Sequence, residues 1–350
     1  LKVGLAVLLG FSPIGCGRSG APADQAAGAG SSGSAAVVAG KVRVDGSSTV
    51  LPVAQKMAEV FRKSNPSVEV GVSESGTGGG FKKLCAGEID IAGASRPINA
   101  PEMEDCKSHG IEFIELPIGF DSLTVVVNPK NTFVDCLKVQ ELKTMWEPGA
   151  ERKVTRWKQV RPSFPDEPLA LFGPSKAHGT FDYFTLAVVG TQSSSRGDYT
   201  ASEDGTALAN GVASDPTALG YFGFAYYVAH KDKLKLVGID SGKGCITPSA
   251  EAVLDHSYEP LSRPLFVYVS KTAAARPEVR AMAQSFVSPE APAMIREIGY
   301  VPLPAATVLS ASRRLGENLA GSRFGGQGSV LGVTAESFQD EDRIKSALVQ

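Results

Sequence analysis

The chain has 350 residues, 43% hydrophobic and 21% charged, a composition that leaves room for two domains and excludes disorder, collagen and a coiled coil. Thirty-five basic side chains face 37 acidic ones for a net charge of −2, so no global field marks a binder of nucleic acid or anionic membrane. Any anion site must be local. Past the first 15 residues no stretch approaches the roughly 18 consecutive apolar residues of a membrane span.

In chain order, the first element is an address. Lys2 precedes the apolar run Val3 to Phe11, and Ser12-Pro13-Ile14-Gly15-Cys16 follows. The arrangement resembles a bacterial lipoprotein signal over residues 1–16, in which Cys16 becomes the lipidated first residue; an ordinary cleaved signal is the alternative. Residues 17–40 are Gly, Ala and Ser with almost no apolar bulk and read as a flexible tether. Export would place Cys85, Cys106, Cys136 and Cys245 in an oxidising compartment, where pairing is favoured. Four cysteines allow three connectivities. Cys85–Cys106 with Cys136–Cys245 keeps each bridge inside one candidate lobe, although spacing alone does not decide it. With no CxxC and four scattered histidines, no metal or other cofactor is expected.

From Lys41 the pattern alternates between strand and helix. KVRVDGS leads to LPVAQKMAEVFRKSNP, VEVGVSE to GGFKKLCAGE, and IDIAGAS to a proline-bounded turn, so the class is α/β. Residues 111–129 contain two extended runs, and a second α/β set follows, including PLALFGPS before FDYFTLAVV. LSRPLFVYVS is a late strand and RPEVRAMAQSFVS an amphipathic helix. The expected organisation is lobe I from 41–120 plus 260–305, lobe II from 121–259, and a peripheral tail from 306–350. Two crossings make a hinge with a ligand cleft between the lobes.

Four strand-to-helix junctions carry the polar chemistry, because such junctions aim free backbone N–H groups at one spot. In DGSSTVLP, Ser48 or Thr49 would cap the helix that Pro52 helps to start, or the same N–H groups would hold an oxyanion. In ESGTGGGF, Gly76, Gly78, Gly79 and Gly80 permit positive φ and close approach, and Ser75 and Thr77 add hydroxyls. It is neither a Walker loop nor a dinucleotide fingerprint. GASRPI presents Arg96, whose planar fork matches a tetrahedral anion. GPSKAHGTFDYF places Thr180 at a helix start. Each loop alone has an everyday capping explanation; together they point to one anion held by main-chain donors, hydroxyls and an arginine.

The succession DGSSTVLP, ESGTGGGFKKLCAGEIDIAGASRPI, GTFDYFTLAVVG, SRGDYTASED, GVASDPTALGYFGFAYY and PLSRPLFVYVS resembles the PstS family of periplasmic phosphate-binding proteins, nearest the members with GSSTV and SGTGGG motifs. The resemblance runs from about 41 to 304. It implies a type II periplasmic-binding fold of two α/β lobes on a two-segment hinge. It also implies a monomer that captures inorganic phosphate outside the cytoplasmic membrane for an ABC permease, touching the membrane only through its lipid. Carried over by position, Ser48, Thr49, Val50, Ser75, Thr77, Arg96, Gly179 and Thr180 become phosphate ligands. Arg196, Asp198 and Ser202 belong to a stretch the family retains.

Two departures stand out. Many members have aspartate where Arg96 stands and arginine where Pro174 stands, so the cation has moved and the carboxylate that accepts the phosphate proton has moved or vanished. Glu74, Asp182, Asp198 and Asp204 are the candidates to replace it, and the acceptor matters because sulfate has no proton to give. His178 replaces a serine before Gly179-Thr180, and as an added ligand it would tighten binding at acid pH. The alternatives are a binder of sulfate, molybdate or another oxyanion and a phosphate-ester hydrolase. The second lacks a metal cluster or a triad geometry, so no catalytic residue is expected.

Overall fold

The structure, a computed structural model, is described for residues 39–338. The expected signal peptide, Cys16 and nearly all of the tether lie outside the described residues. The first part of the chain runs β1 (Gly40–Gly46), α1 (Leu51–Ser64), β2 (Val68–Val72), α2 (Gly76–Cys85), β3 (Ile91–Ala94), α3 (Ala100–Ser108) and β4 (Phe113–Val127). The middle runs β5 (Cys136–Lys138), α4 (Val139–Trp146), α5 (Trp157–Val160), β6 (Ala170–Pro174), α6 (Gly179–Phe184), β7 (Thr200–Ser202), α7 (Gly205–Ser214), β8 (Ala218–Gly223), α8 (Phe224–His230), β9 (Lys235–Asp240), β10 (Cys245–Ile246) and α9 (Ala250–Leu254). The last part is β11 (Ser262–Ser270), α10 (Pro277–Phe286), α11 (Ala291–Glu297), β12 (Val301–Pro302) and α12 (Ala305–Gly316).

Local chemistry explains the elements that border the cleft. Helix α1 buries Val53, Ala54, Met57, Ala58 and Phe61, the stripe of a 3.6-residue period, and Pro52 suits its first turn. Its C-terminus closes where the side chain and backbone N–H of Asn65 both donate to the Phe61 carbonyl. Strand β1 sits between β2 and β3, parallel to both. Three parallel strands joined by helices make the α/β half expected from the alternating pattern.

Strand β4 departs from the expectation of two extended runs. It is one 15-residue strand, buried along its whole length. Residues 113–122 pair antiparallel with β11, whereas Leu123 to Val127 pair with β8 and Val125 to Val127 also with β9. The chain therefore passes from one half of the sheet to the other without leaving extended conformation. Its return is the start of β11, where Ser262 and Arg263 lie opposite Ser122 and Asp121. The two lobes meet along these adjacent strands.

The first lobe buries apolar residues on both sides of its sheet, around Val44, Phe61, Leu116 and Met282 on one side and around Phe81, Phe266 and Tyr268 on the other. In the second lobe Trp146 stands edge-on to Tyr221 and Phe184, whose rings stack 3.6 Å apart. The disulfides join Cys85 at the end of α2 to Cys106 in α3, and Cys136 in β5 to Cys245 in β10.

The segment after α11 corrects the expectation of a peripheral tail. Phe324, Val333, Ala335 and Phe338 are buried, and Phe338 lies among Phe120, Phe266 and Phe324. The fully buried Glu115 of β4 accepts hydrogen bonds from Ser322 Oγ at 2.6 Å, the Arg323 N–H at 3.0 Å and the Tyr268 hydroxyl at 2.8 Å. The composition of the tail concealed this because its glycines and charges are spaced around a few aromatic anchors.

Candidate anion-binding site

All four polar junctions meet where the strands cross, the GASRPI junction through Ser95 and not through Arg96. The turn before α1 does not use its hydroxyls as caps: the residue preceding the helix is Val50, with no side-chain cap. Ser48 Oγ instead lies 2.6 Å from Nε2 of His178, and Thr49 Oγ1 accepts from Nη2 of Arg263 at 3.1 Å. The N–H of Val50, expected to serve the ligand, donates to the Ser47 carbonyl at 3.0 Å, which tightens the turn.

The glycine-rich stretch is the opening of a helix. Gly76 alone of its four glycines has φ in the left-handed region, at +76°, and the others lie within α2. Their smallness serves approach: a Cβ on Gly80 would meet the Gly46 backbone at 2.6 Å. Ser75, expected as a ligand, donates to Asp45 Oδ1 at 2.6 Å, beside Ser73 and Lys83 on Oδ2. Burial raises the Asp45 carboxyl, but Lys83, Ser73 and Ser75 outweigh it and hold it below its ordinary value. Ser75 is thereby tied to the framework, and Thr77 faces the cleft, 3.2 Å from Ser95 Oγ.

From the second lobe come His178, Gly179 and Thr180. A side chain on Gly179 would collide with Ser95 and Thr77. The backbone N–H of Thr180 donates to Nδ1 of His178 at 3.0 Å, and Nη2 of Arg263 donates to Thr180 Oγ1 at 2.6 Å. Ser48, Thr49, Thr77, Ser95, His178, Thr180 and Arg263 are all buried. His178 is pushed down to about 3 by burial and, secondarily, by the Arg263 charge, so its ring is neutral over the physiological range. That reverses the sign expected from the sequence, where a charged His178 would have favoured an anion at acid pH.

Arg263 and Asp121 were missed by the sequence reading. The guanidinium and the carboxylate are both fully buried, 2.9 Å apart from Nη2 to Oδ2 and 3.2 Å from Nε to Oδ2. Among the described residues Nη1 of Arg263 has no hydrogen-bond partner, and Oδ1 of Asp121 has none of normal geometry. Burial pushes the Asp121 carboxyl up, against the Arg263 charge and the nearby N–H groups of Phe224 and Ser122. One signal was in plain view: the motif SRP opens a strand otherwise wholly apolar from Leu265 to Val269, and a charge there needs a reason.

Arg96 stands elsewhere than expected. It is buried, but both terminal nitrogens fork onto Glu102, at 2.8 and 2.7 Å, and Glu102 also caps Asn99. Its charge is already matched. The looser candidates do not join the cluster. Arg196 binds Asp198 and the carbonyls of Met145 and Val154, and the pair holds Asp198 near 2. Ser202 accepts the Asp204 N–H, Asp204 caps α7, and Asp182 accepts from Ser193. Glu74 is exposed, its carboxyl raised by partial burial and then by Asp204 and Asp45. None of these four carboxylates touches Arg263. Among the described residues no group of three or more His, Cys, Asp or Glu is arranged to hold a metal ion.

Residues 24–290 match the family described as a PBP superfamily domain. The chain is 46% identical over 294 residues to Protein SphX of Synechocystis sp., covering 84% of this chain and 87% of that one. It is 36% identical over 274 residues to the Phosphate-binding protein PstS of Staphylococcus aureus, covering 77% and 81%. The chain belongs to the PstS family of periplasmic phosphate-binding proteins. A crystal structure of a possible phosphate-binding protein from Planctomyces limnophilus is similar at 44% identity and a TM-score of 0.63, covering 81% of this chain and 99% of that one. PstS-family members are substrate-binding proteins of transporters, and this chain is accordingly no enzyme. Among the described residues no helix is long and apolar enough to cross a membrane.

Proposed function

We propose that this chain captures inorganic phosphate between its lobes and delivers it to an ABC permease, as a monomer held outside the cytoplasmic membrane by a lipid on Cys16. The observation that carries the reading is the Arg263–Asp121 pair: a buried cation with Nη1 unused beside a buried carboxylate, ringed by hydroxyls from both lobes. Phosphate enters when the lobes part and takes over Arg263 Nη1 and the hydroxyls of Ser48, Thr49, Thr77, Ser95 and Thr180. Asp121, ionised beside Arg263, accepts a hydrogen bond from the hydroxyl of the monohydrogen anion. Sulfate offers no such proton and leaves a buried acceptor unpaired, which costs on the order of 1–3 kcal/mol or more. Binding is capture without chemistry, and the closed form is what a permease has to recognise.

Calorimetric titration of the full chain with phosphate and then sulfate, at low and high salt, tests this. Tight one-to-one phosphate binding with sulfate silent is expected. Equal binding of sulfate, or no phosphate binding, refutes it.

A further inference from the structure

The two nitrogens of His178 are engaged on opposite sides, and the partners differ in kind. On one side the Thr180 backbone N–H points at Nδ1 from 3.0 Å, and an amide hydrogen can only be donated. Nδ1 is therefore the acceptor nitrogen of a neutral ring, and the ring hydrogen sits on Nε2. On the other side Nε2 faces Ser48 Oγ at 2.6 Å. The ring must donate to that oxygen, so the hydroxyl hydrogen of Ser48 cannot point back at the ring. Among the described residues no acceptor for that hydrogen is found. Ser48 is also buried, next in sequence to Thr49, whose hydroxyl accepts from Arg263, so its hydrogen is left for a ligand in the cleft.

We propose that His178 is a positioning residue, locked by the Thr180 amide as the Nε2–H tautomer, which makes Ser48 an obligate hydrogen-bond donor to the bound anion. This deepens the phosphate reading and rests on it. A serine at position 178 would bring its own hydroxyl to the ligand; the histidine instead reaches across the cleft and sets the direction of a hydroxyl on the other lobe. The contact joins residues 130 positions apart, from the turn before α1 and the turn before α6, so it forms only when the lobes meet. Its oriented donor adds to Arg263 and leaves Asp121 as the acceptor of the set, the division a singly protonated anion requires.

The test uses the full chain, labelled with nitrogen-15, in long-range proton–nitrogen correlation spectra at pH 7. The ring of His178 is identified as the one that disappears in His178→Asn. With phosphate bound, Nδ1 is expected to resonate as an unprotonated, pyridine-type nitrogen and Nε2 as a protonated, pyrrole-type one. The opposite tautomer or a doubly protonated ring overturns the proposal. Affinities give the second readout: Ser48→Ala should weaken phosphate binding about tenfold or more, and His178→Asn about three- to tenfold. The double variant should be no weaker than Ser48→Ala, because His178 acts through Ser48. Multiplying losses overturn the proposal even where both variants are folded. Failure of the wild-type chain to bind phosphate would instead refute the reading on which the proposal rests, and the two failures are thus distinct.

Discussion

Acidification should weaken phosphate binding, and His178 sets by how much. In the closed cleft the ring is held near 3 instead of 6.5, with burial the larger cause and Arg263 the smaller. When the lobes part and water reaches the ring, its pKa returns towards the ordinary value. A group depressed in this way stabilises the closed form fully above 6.5 and loses that contribution as pH falls towards 3. At pH 5 the open form gains about 2 kcal/mol from protonating the ring, which corresponds to about thirtyfold in affinity. The ring of the closed form, held near 3, is still neutral at pH 5. The assay is phosphate titration at pH 7 and pH 5 for the wild type and for His178→Asn. Protonation of the ligand is common to both proteins and cancels in the ratio, so the wild type should lose ten- to thirtyfold more than the variant. Equal losses, or tighter wild-type binding at pH 5, would refute the reasoning and restore the expectation that a charged histidine helps to hold the anion.

Arg263→Ala should reduce phosphate affinity about a hundredfold or more and lower the melting temperature, because it strands Asp121 in the interior at a cost of about 3–5 kcal/mol. Arg96→Ala should lower the melting temperature while changing affinity less than tenfold or so, since its fork serves Glu102; calorimetry of the two variants side by side gives the ranking, and the reverse order would move the anion to Arg96. Asp121→Asn should narrow the preference for phosphate over sulfate at least about tenfold, measured as a ratio of dissociation constants, because the amide accepts less strongly and can also donate. Loss of the Cys136–Cys245 bridge, with a separation of 109, should cost about 5 kcal/mol against about 3 for Cys85–Cys106, with a separation of 21, in urea unfolding of the two double-serine variants. Phe338→Ala should destabilise by about 3–5 kcal/mol in the same assay, a loss that a peripheral tail would not show.

Much of this was legible because the local signals agreed with one another. The alternation from Lys41 onward gave the parallel half of the sheet, the apolar spacing of α1 and α10 gave their buried faces, and the hydroxyl-rich junctions brought Ser48, Thr49, Thr77 and Thr180 to one place. What stayed hidden depends on contacts distant in sequence. Nothing local tells Arg96 that Glu102 claims it, or tells Arg263 that it will stand opposite Asp121, 142 positions earlier. Both charged residues of that pair sit in apolar strands, and such a pattern reads as core until the partner is known. Ser75 shows the converse: its hydroxyl sits in a ligand-like motif, yet buried Asp45 takes it.

The interleaving of the lobes bears on the order in which the protein assembles. The second half of the sheet draws its strands from one unbroken stretch between β4 and β10, so it can condense as soon as that stretch exists. The first half cannot, because β3 waits for β11 as its neighbour and the aromatic cluster on Phe266 waits for Phe338. Joining segments so far apart carries a loop-closure cost before any contact rewards it. Amide protection during refolding should therefore appear at β8 and β6 before it appears at β3 and β11, and the cleft, which needs Arg263 from the late strand β11, should form only after the second half of the sheet.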